Sequence, residues 1–299
     1  MKKIIALAPT RIDFAGAWTD VSIFADEFGG ETLNAAITQF VRGEFLSPDE
    51  RDESGISVSY HTDIPTGAGL GSSAAMNVVW LALMKGNTIQ TLDEKLAIAE
   101  DAYRLEKLLG IVGGKQDQYA SAVGGINLFQ FTRDQTHVIP LAIDSKRLQE
   151  LRSHLLLCYT GSSRLSSNIH EHVWGNFKKG DRRIKVALLS LRDSAQDCRM
   201  IIESGTLSDL GEILWLQFLC SKQLDVSTTN ETIETLFYLV RDNIFGGKPA
   251  GAGGGGCVLF YCKDVEHKKT ATKKILDAGF RILDFDFDFK GVQVSIEHV

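Results

Sequence analysis

No stretch of the 299 residues approaches the roughly 18 uninterrupted apolar positions that a membrane-spanning helix needs, so no transmembrane helix and no membrane partner are expected. The opening Met-Lys-Lys-Ile-Ile-Ala-Leu-Ala resembles a signal peptide, but its apolar run stops at Pro9 and Arg11, too soon for one, and it reads instead as a first strand. Cysteine is scarce. Cys158, Cys198, Cys220, Cys257 and Cys262 are odd in number and lack Cys-x-x-Cys spacing, which excludes a sequence-evident thiolate metal site and predicts reduced thiols in a cytoplasmic protein, with Cys257 and Cys262 simply packing. Positive charge is also short, 32 Lys and Arg against 38 Asp and Glu; a net charge of −6 argues against nucleic acid as the partner. There is no internal repeat, and no low-complexity tract beyond one glycine run.

What is present is an ordinary globular composition, 44% hydrophobic and 23% charged, with room for two domains. Short strands are expected over 4–8, 11–14, 41–46 and 56–60. Helices are expected over 72–84, capped by Ser72 or Ser73, and over 93–109. Gly113 and Gly114 break the pattern before a short helix carrying Asp117 and Tyr119, and Gly124-Gly125 turns into a strand over 126–131. The second half carries amphipathic stretches over 182–203, 207–222 and 230–243, then the glycine run, a strand over 257–261, a further helix and two strands. This mixture predicts an α+β protein, divided near residue 152 into parts 1–152 and 153–299 that pack together rather than being tethered.

The most informative segment is 65–75, Pro-Thr-Gly-Ala-Gly-Leu-Gly-Ser-Ser-Ala-Ala. Three alternating glycines before a helix let a polyphosphate approach unpaired N–H groups at the positive end of the helix dipole. It is not a Walker loop, because Ser72 and Ser73 follow the last glycine where that loop carries Lys. Those hydroxyls can ligate Mg²⁺ or bind phosphate oxygens. Pro65, Gly67, Ala68, Gly69, Leu70, Gly71, Ser72 and Ser73 are therefore the candidate nucleotide-binding residues, and phosphoryl transfer on another fold is the chemistry suggested.

Two acids follow. Glu106 ends the second helix and Asp117 lies just past the glycine break, so a turn there can bring both to the phosphate loop. One carboxylate and a hydroxyl suit Mg²⁺ with ATP, and a second carboxylate can take the proton of an acceptor hydroxyl. Arg11 can pair with Asp117 or neutralise charge on the transferring phosphoryl, and Asp20 can bind substrate hydroxyls. Lys115, Arg11, Arg42 and Arg164 are the basic residues near glycine or hydroxyl-rich segments, Arg42 reading as surface charge. Residues 251–256 contain Gly-x-Gly-x-x-Gly, but with a helix expected before them and a strand after, the dinucleotide reading fails, and close approach of backbone to a ligand or the other domain is the better account. His170 and His172 read as surface residues, and Trp18 as a candidate for the pocket wall.

Together, 9–20, 65–75 and 251–256 resemble the three motifs of the superfamily that includes galactokinase, homoserine kinase, mevalonate kinase and phosphomevalonate kinase, over nearly the whole chain. Within it, Arg-Ile-Asp-Phe-Ala-Gly-Ala-Trp-Thr-Asp (11–20), Gly-Gly-Glu-Thr-Leu-Asn-Ala-Ala-Ile (29–37), Gly-Lys-Gln-Asp-Gln-Tyr (114–119) and Tyr-Thr-Gly-Ser-Ser-Arg (159–164) are similar to the sugar anomeric kinases, such as heptose 7-phosphate kinase and the kinase part of fucokinase. It departs from them at Ala17, where they carry glycine, and at Ser22 and Ile23, where prolines are common. The resemblance implies a two-domain fold, an N-terminal part like domain 2 of ribosomal protein S5 and a ferredoxin-like C-terminal part. It implies an ATP- and Mg²⁺-dependent kinase with Ser73 and Glu106 as metal ligands, Asp117 as the catalytic aspartate and Arg11 as its electrostatic partner. Gly16, Trp18, Thr19, Asp20 and Gly254 would shape the sugar site, with Lys115 and Arg164 for a substrate phosphate. The reaction implied is phosphorylation of the C1 hydroxyl of D-glycero-D-manno-heptose 7-phosphate. The alternatives are an unphosphorylated sugar such as fucose, or a non-catalytic sensor of nucleotide and sugar. A homodimer is left open.

Overall fold

The computed structural model describes residues 2–47, 57–65, 67–162 and 167–298. The first strand, β1 (Lys2–Ala15), is one continuous strand rather than the two expected, because Pro9 sits at a register irregularity with Thr10 that absorbs its missing N–H. After α1 (Ser22–Phe28), β2 (Gly30–Ser47) runs antiparallel to β1, and β3 (Ser57–Thr62) pairs with its outer half.

Three helices cover one face of this sheet. In α2 (Ser72–Lys85), Val78, Val79, Ala82 and Leu83 recur at helical spacing and pack on Ile4, Ala6 and Ala8 of β1. Its cap is Gly71 in the left-handed region, with no side-chain bond, so neither Ser72 nor Ser73 caps it; both lie in its first turn. In α3 (Leu92–Leu108), Thr91 and Glu94 form a reciprocal capping box. The third, α4 (Gln116–Val123), carries Asp117 in its first turn. The strands β4 (Ile126–Phe131) and β5 (Thr136–Pro140) complete that side.

Beyond α5 (Ser145–His154) and β6 (Leu155–Tyr159) come the helices α6 (Ser167–Lys178), α7 (Arg182–Glu203), α8 (Leu210–Leu224) and α9 (Glu231–Val240). A strand, β7 (Ile244–Pro249), intervenes between α9 and the glycine run, where the sequence suggested helix to residue 243; pairing with β8 (Cys257–Cys262) sets that conformation. The chain then forms α10 (Val265–Asp277), β9 (Arg281–Ile282) and β10 (Gln293–His298).

The sheets have orders β10-β1-β2-β4-β5, with β3 on β2, and β7-β8-β6-β9. One apolar core joins them: Ile12, Phe14, Leu33 and Leu128 of the first meet Leu157 and Leu259 of the second, with Ala195 of α7 and Leu214 of α8. The division near residue 152 falls within α5, and β10 returns from the far end of the chain to close the outer edge of β1, so that boundary and the sheets do not coincide. All five cysteines are buried and free. Among the described residues no helix is long and apolar enough to cross a membrane.

Candidate active site

The phosphate loop is held open by its own carbonyls being engaged elsewhere. Gly67, Gly69 and Gly71 have φ of 74°, 76° and 75°, a conformation that costs other residues and suits an anion-binding curl of backbone. The carbonyl of Ala68 accepts from Cys257 N–H (2.8 Å) and that of Leu70 from Arg11 N–H (3.0 Å). The Gly69 carbonyl accepts from Arg11 Nη1 at 2.6 Å. What remains for a ligand is the donor side of the loop and the start of α2.

Asp117 meets this loop directly. Arg11, 3% exposed, donates from Nε to Asp117 Oδ1 at 2.7 Å, and its Nη2 lies at the same distance. A Cβ built on Gly71 would lie 3.1 Å from Asp117 Cγ, so the last glycine of the loop is also what lets the carboxylate come close. Behind Arg11, Asp13 is buried and ion-paired with Lys248 of β7, and Gly251 N–H donates to Asp13 Oδ1 at 3.2 Å. Positive and negative groups thus alternate from Lys248 through Asp13 and Arg11 to Asp117, which fixes the guanidinium in one orientation.

Glu106 reaches the same cleft from the last turn of α3. Its Oε1 accepts from Asn77 Nδ2 (2.9 Å) and its Oε2 from Gln118 Nε2 (2.7 Å). Burial, and next the charge of Asp117, push its carboxyl up to about 7 against those two bonds. Ser73 lines the cleft from the first turn of α2. Asn77 and Gln118 were not singled out from sequence for a role. Asn77 is one helical turn beyond Ser73, and that spacing was the available signal.

Asp20 closes the other end. It is 4% exposed, its Oδ2 accepts from Gln116 N–H at 3.0 Å, and burial carries its carboxyl up to about 7. Gly114 lies flat on it: a Cβ there would fall 1.8 Å from Asp20 Oδ2. Gly16 and Thr19 build the turn and do not line the cleft. Gly16 has φ of 81° and its N–H donates to Gln217 Oε1 (3.0 Å), while Thr19 Oγ1 lies 2.8 Å from the Gly16 carbonyl. Trp18, itself at φ of 79°, does line it, beside Ala17 and Val21. His170 is a correction: it is not a surface residue but part of this wall, its ring 4.5 Å from that of Trp18. His172 is exposed.

The glycine run packs backbone to backbone on the phosphate loop. A Cβ on Gly256 would meet the Ala68 carbonyl at 2.5 Å, and one on Gly251 the Gly69 carbonyl at 2.9 Å. A strand precedes the run and a strand follows, so no helix opens from it and the dinucleotide reading remains excluded. Gly251, Gly253 and Gly255 line the cleft, whereas Gly254 is bonded to Thr228 and Asn230. Lys115 does not line the cleft; its Nζ pairs with Glu100 at 2.9 Å. Arg164 lies outside the described residues. Arg42 is an exposed residue paired with Glu44.

Arg11, Asp20, Gly67, Gly69, Gly71, Ser72, Ser73, Glu106 and Asp117 thus share one cleft of about 530 Å³ between the glycine segments. A larger hollow of about 740 Å³ lies over α8, α9 and β7, lined by Trp215, Tyr238 and Phe245, and holds none of these residues. Three carboxylates, a guanidinium and a donor-lined loop in one cleft are suited to moving a phosphoryl group onto a hydroxyl.

Residues 33–125 match the profile of the GHMP kinases N terminal domain. The chain carries a GHMP kinase N-terminal domain. It is accordingly a phosphotransferase with a hydroxyl acceptor. Among its relatives, the D-glycero-alpha-D-manno-heptose 7-phosphate kinase of Campylobacter jejuni is 28% identical over 98% of this chain and 99% of that protein. The bifunctional fucokinase/GDP-fucose pyrophosphorylase of Arabidopsis thaliana is 25% identical over 96% of this chain, which spans 32% of that longer protein. A solved D-glycero-D-manno-heptose 1-phosphate kinase from Bacteroides thetaiotaomicron superposes on this chain with a TM-score of 0.75 at 21% identity, covering 99% and 100% of the two chains. A solved mevalonate kinase gives 0.72 at 15%, covering 96% of this chain and 99% of that one. These last two likenesses speak for the fold.

Proposed function

We propose that this chain is a cytoplasmic sugar kinase that transfers the γ-phosphoryl of ATP to the anomeric C1 hydroxyl of D-glycero-D-manno-heptose 7-phosphate. The observation that carries the reading is the position of Asp117, held by Arg11 against the phosphate loop in the cleft that also contains Asp20. In this account the polyphosphate lies along 67–73, against the free donors of the loop. Asp20 accepts from ring hydroxyls. Asp117 takes the proton of the C1 hydroxyl as its oxygen bonds to the γ-phosphorus and the bond from that phosphorus to the bridging oxygen breaks, ADP leaving with the electron pair. Arg11 orients Asp117 and offers positive charge beside the transferring group.

Ser73 and Glu106 would hold Mg²⁺, which when bound neutralises charge on the β- and γ-phosphates. The donor set fits. Both are hard oxygen ligands on the cleft, and Mg²⁺ characteristically takes one or two protein oxygens, with phosphates and waters completing its shell. Among the described residues no group of three or more His, Cys, Asp or Glu forms an all-protein cage, consistent with that mode.

A second reading, an unphosphorylated acceptor such as fucose, is favoured by one observation: Lys115, one of two residues assigned to a substrate phosphate, is paired with Glu100 away from the cleft. Mg²⁺-dependent ADP release across heptose 7-phosphate, free heptose, fucose, galactose and mannose, with mevalonate as an outgroup, separates the two. Response to heptose 7-phosphate with an acid-labile product supports the first reading, and response to fucose alone the second. Silence with ATP still bound refutes both.

A further inference from the structure

His170 lies in α6, a helix for which the sequence offered no role. Trp174, one turn along, donates its indole N–H to His170 Nδ1 at 3.2 Å. An indole nitrogen only donates, so Nδ1 must be the lone-pair nitrogen and the neutral ring carries its proton on Nε2. The ring is tilted 33° against Trp18, and Trp18 in turn lies 6.2 Å from Trp174. The two tryptophans thus fix both the plane of the imidazole and its tautomer. Burial lowers the ring's pKa to about 4, which keeps it neutral. Its Nε2 has no partner among the described residues, is not sealed within the protein, and belongs to a residue that lines the same cleft as Asp20.

We propose that His170 is a specificity-determining residue whose Nε2–H donates a hydrogen bond to a hydroxyl oxygen of the acceptor sugar, complementing the acceptor oxygens of Asp20. The inference deepens the sugar-kinase reading and rests on it. A neutral, fixed donor discriminates between a hydroxyl and its absence, since a deoxy position leaves the N–H unpaired.

The test compares His170→Leu, which removes the donor, with His170→Gln, which keeps an amide N–H within reach of the Nε2 position. Sugar affinity is read from direct binding by calorimetry as well as from KM. His170→Leu should raise KM for the accepted sugar about tenfold, the loss of one hydrogen bond, while KM for ATP stays as it was. His170→Gln should recover most of the sugar affinity. Trp174→Phe, which frees Nδ1 and the tautomer, should raise sugar KM by a smaller factor with His170 intact. Unchanged sugar KM in His170→Leu, or parallel losses toward ATP and sugar that Gln fails to rescue, overturns the proposal while leaving the sugar-kinase reading standing. If the unmodified protein neither binds nor phosphorylates any sugar on the panel, both fall.

Discussion

Replacing Asp20 by Asn should make the protein more stable at pH 8 and a poorer kinase. The carboxyl is buried, with Gly114 flat against it and Gln116 N–H donating to it, so its charged form is paid for only in part. Burial lifts it from an ordinary 3.8 to about 7. Between those two values the folded state holds a proton that the unfolded state has lost, so stability falls as pH rises through the window; the penalty is absent below about pH 4 and complete above about pH 7. At about 1.36 kcal/mol per pH unit, the full penalty is about 4 kcal/mol. Asn keeps the shape and an acceptor for Gln116 but adds an amide donor that needs a partner, which costs about 1–2 kcal/mol. The expected net gain at pH 8 is therefore about 2–3 kcal/mol, or a rise in the unfolding midpoint of roughly 3–5 °C. At pH 4 the variant should show no gain. Thermal unfolding of both proteins at the two pH values is the assay. An equal shift at both, or a less stable variant at pH 8, would refute burial of the charge as the cause.

Asp117→Asn should retain ATP binding by titration while kcat falls about 10²–10⁴-fold, as expected for loss of a positioned base. Gly71→Ala places a methyl 3.1 Å from Asp117 Cγ on backbone at φ of 75°, and should cost about 1–2 kcal/mol in a urea midpoint and lower kcat more than it alters sugar KM. Lys248→Met strands the buried Asp13 carboxylate and should destabilise by about 3–5 kcal/mol; adding Asp13→Leu should recover most of that stability in the same urea experiment, since an apolar pair replaces a broken ionic one.

What was legible in the sequence was legible for local reasons. The apolar spacing in 72–84 specifies a helix from within itself. The glycine alternation of 65–75 likewise reports its own backbone, and the pairing of Arg11 with Asp117 followed from the chemistry two such residues need. Tertiary choices were not legible. No strand was expected between residue 243 and the glycine run; Gly246, Gly247 and Pro249 disfavour one locally, and only the register with β8 makes 244–249 a strand. Lys115 looked like a phosphate ligand by its place beside Gly114; Glu100, fifteen positions earlier on α3, claims it. His170 looked solvated because alternate histidines on a helix point apart, and which of them faces inward depends on where Trp18 sits.

The pairing of β10 with β1 sets a timetable for synthesis. Lys2 through Leu7 find their outer neighbours in His298 back through Gln293, at nearly the greatest sequence separation the chain allows. A ribosome making this protein therefore releases the first strand long before it releases the strand that shields its edge, and over that interval the backbone N–H and C=O groups of that edge are available to any other extended chain. The charged residues Lys2 and Lys3 lie in this stretch, the kind of side chain that discourages such pairing. Folding of the first sheet is thus a late, nonlocal event, and the elongating chain, more than the finished one, is where aggregation is to be sought.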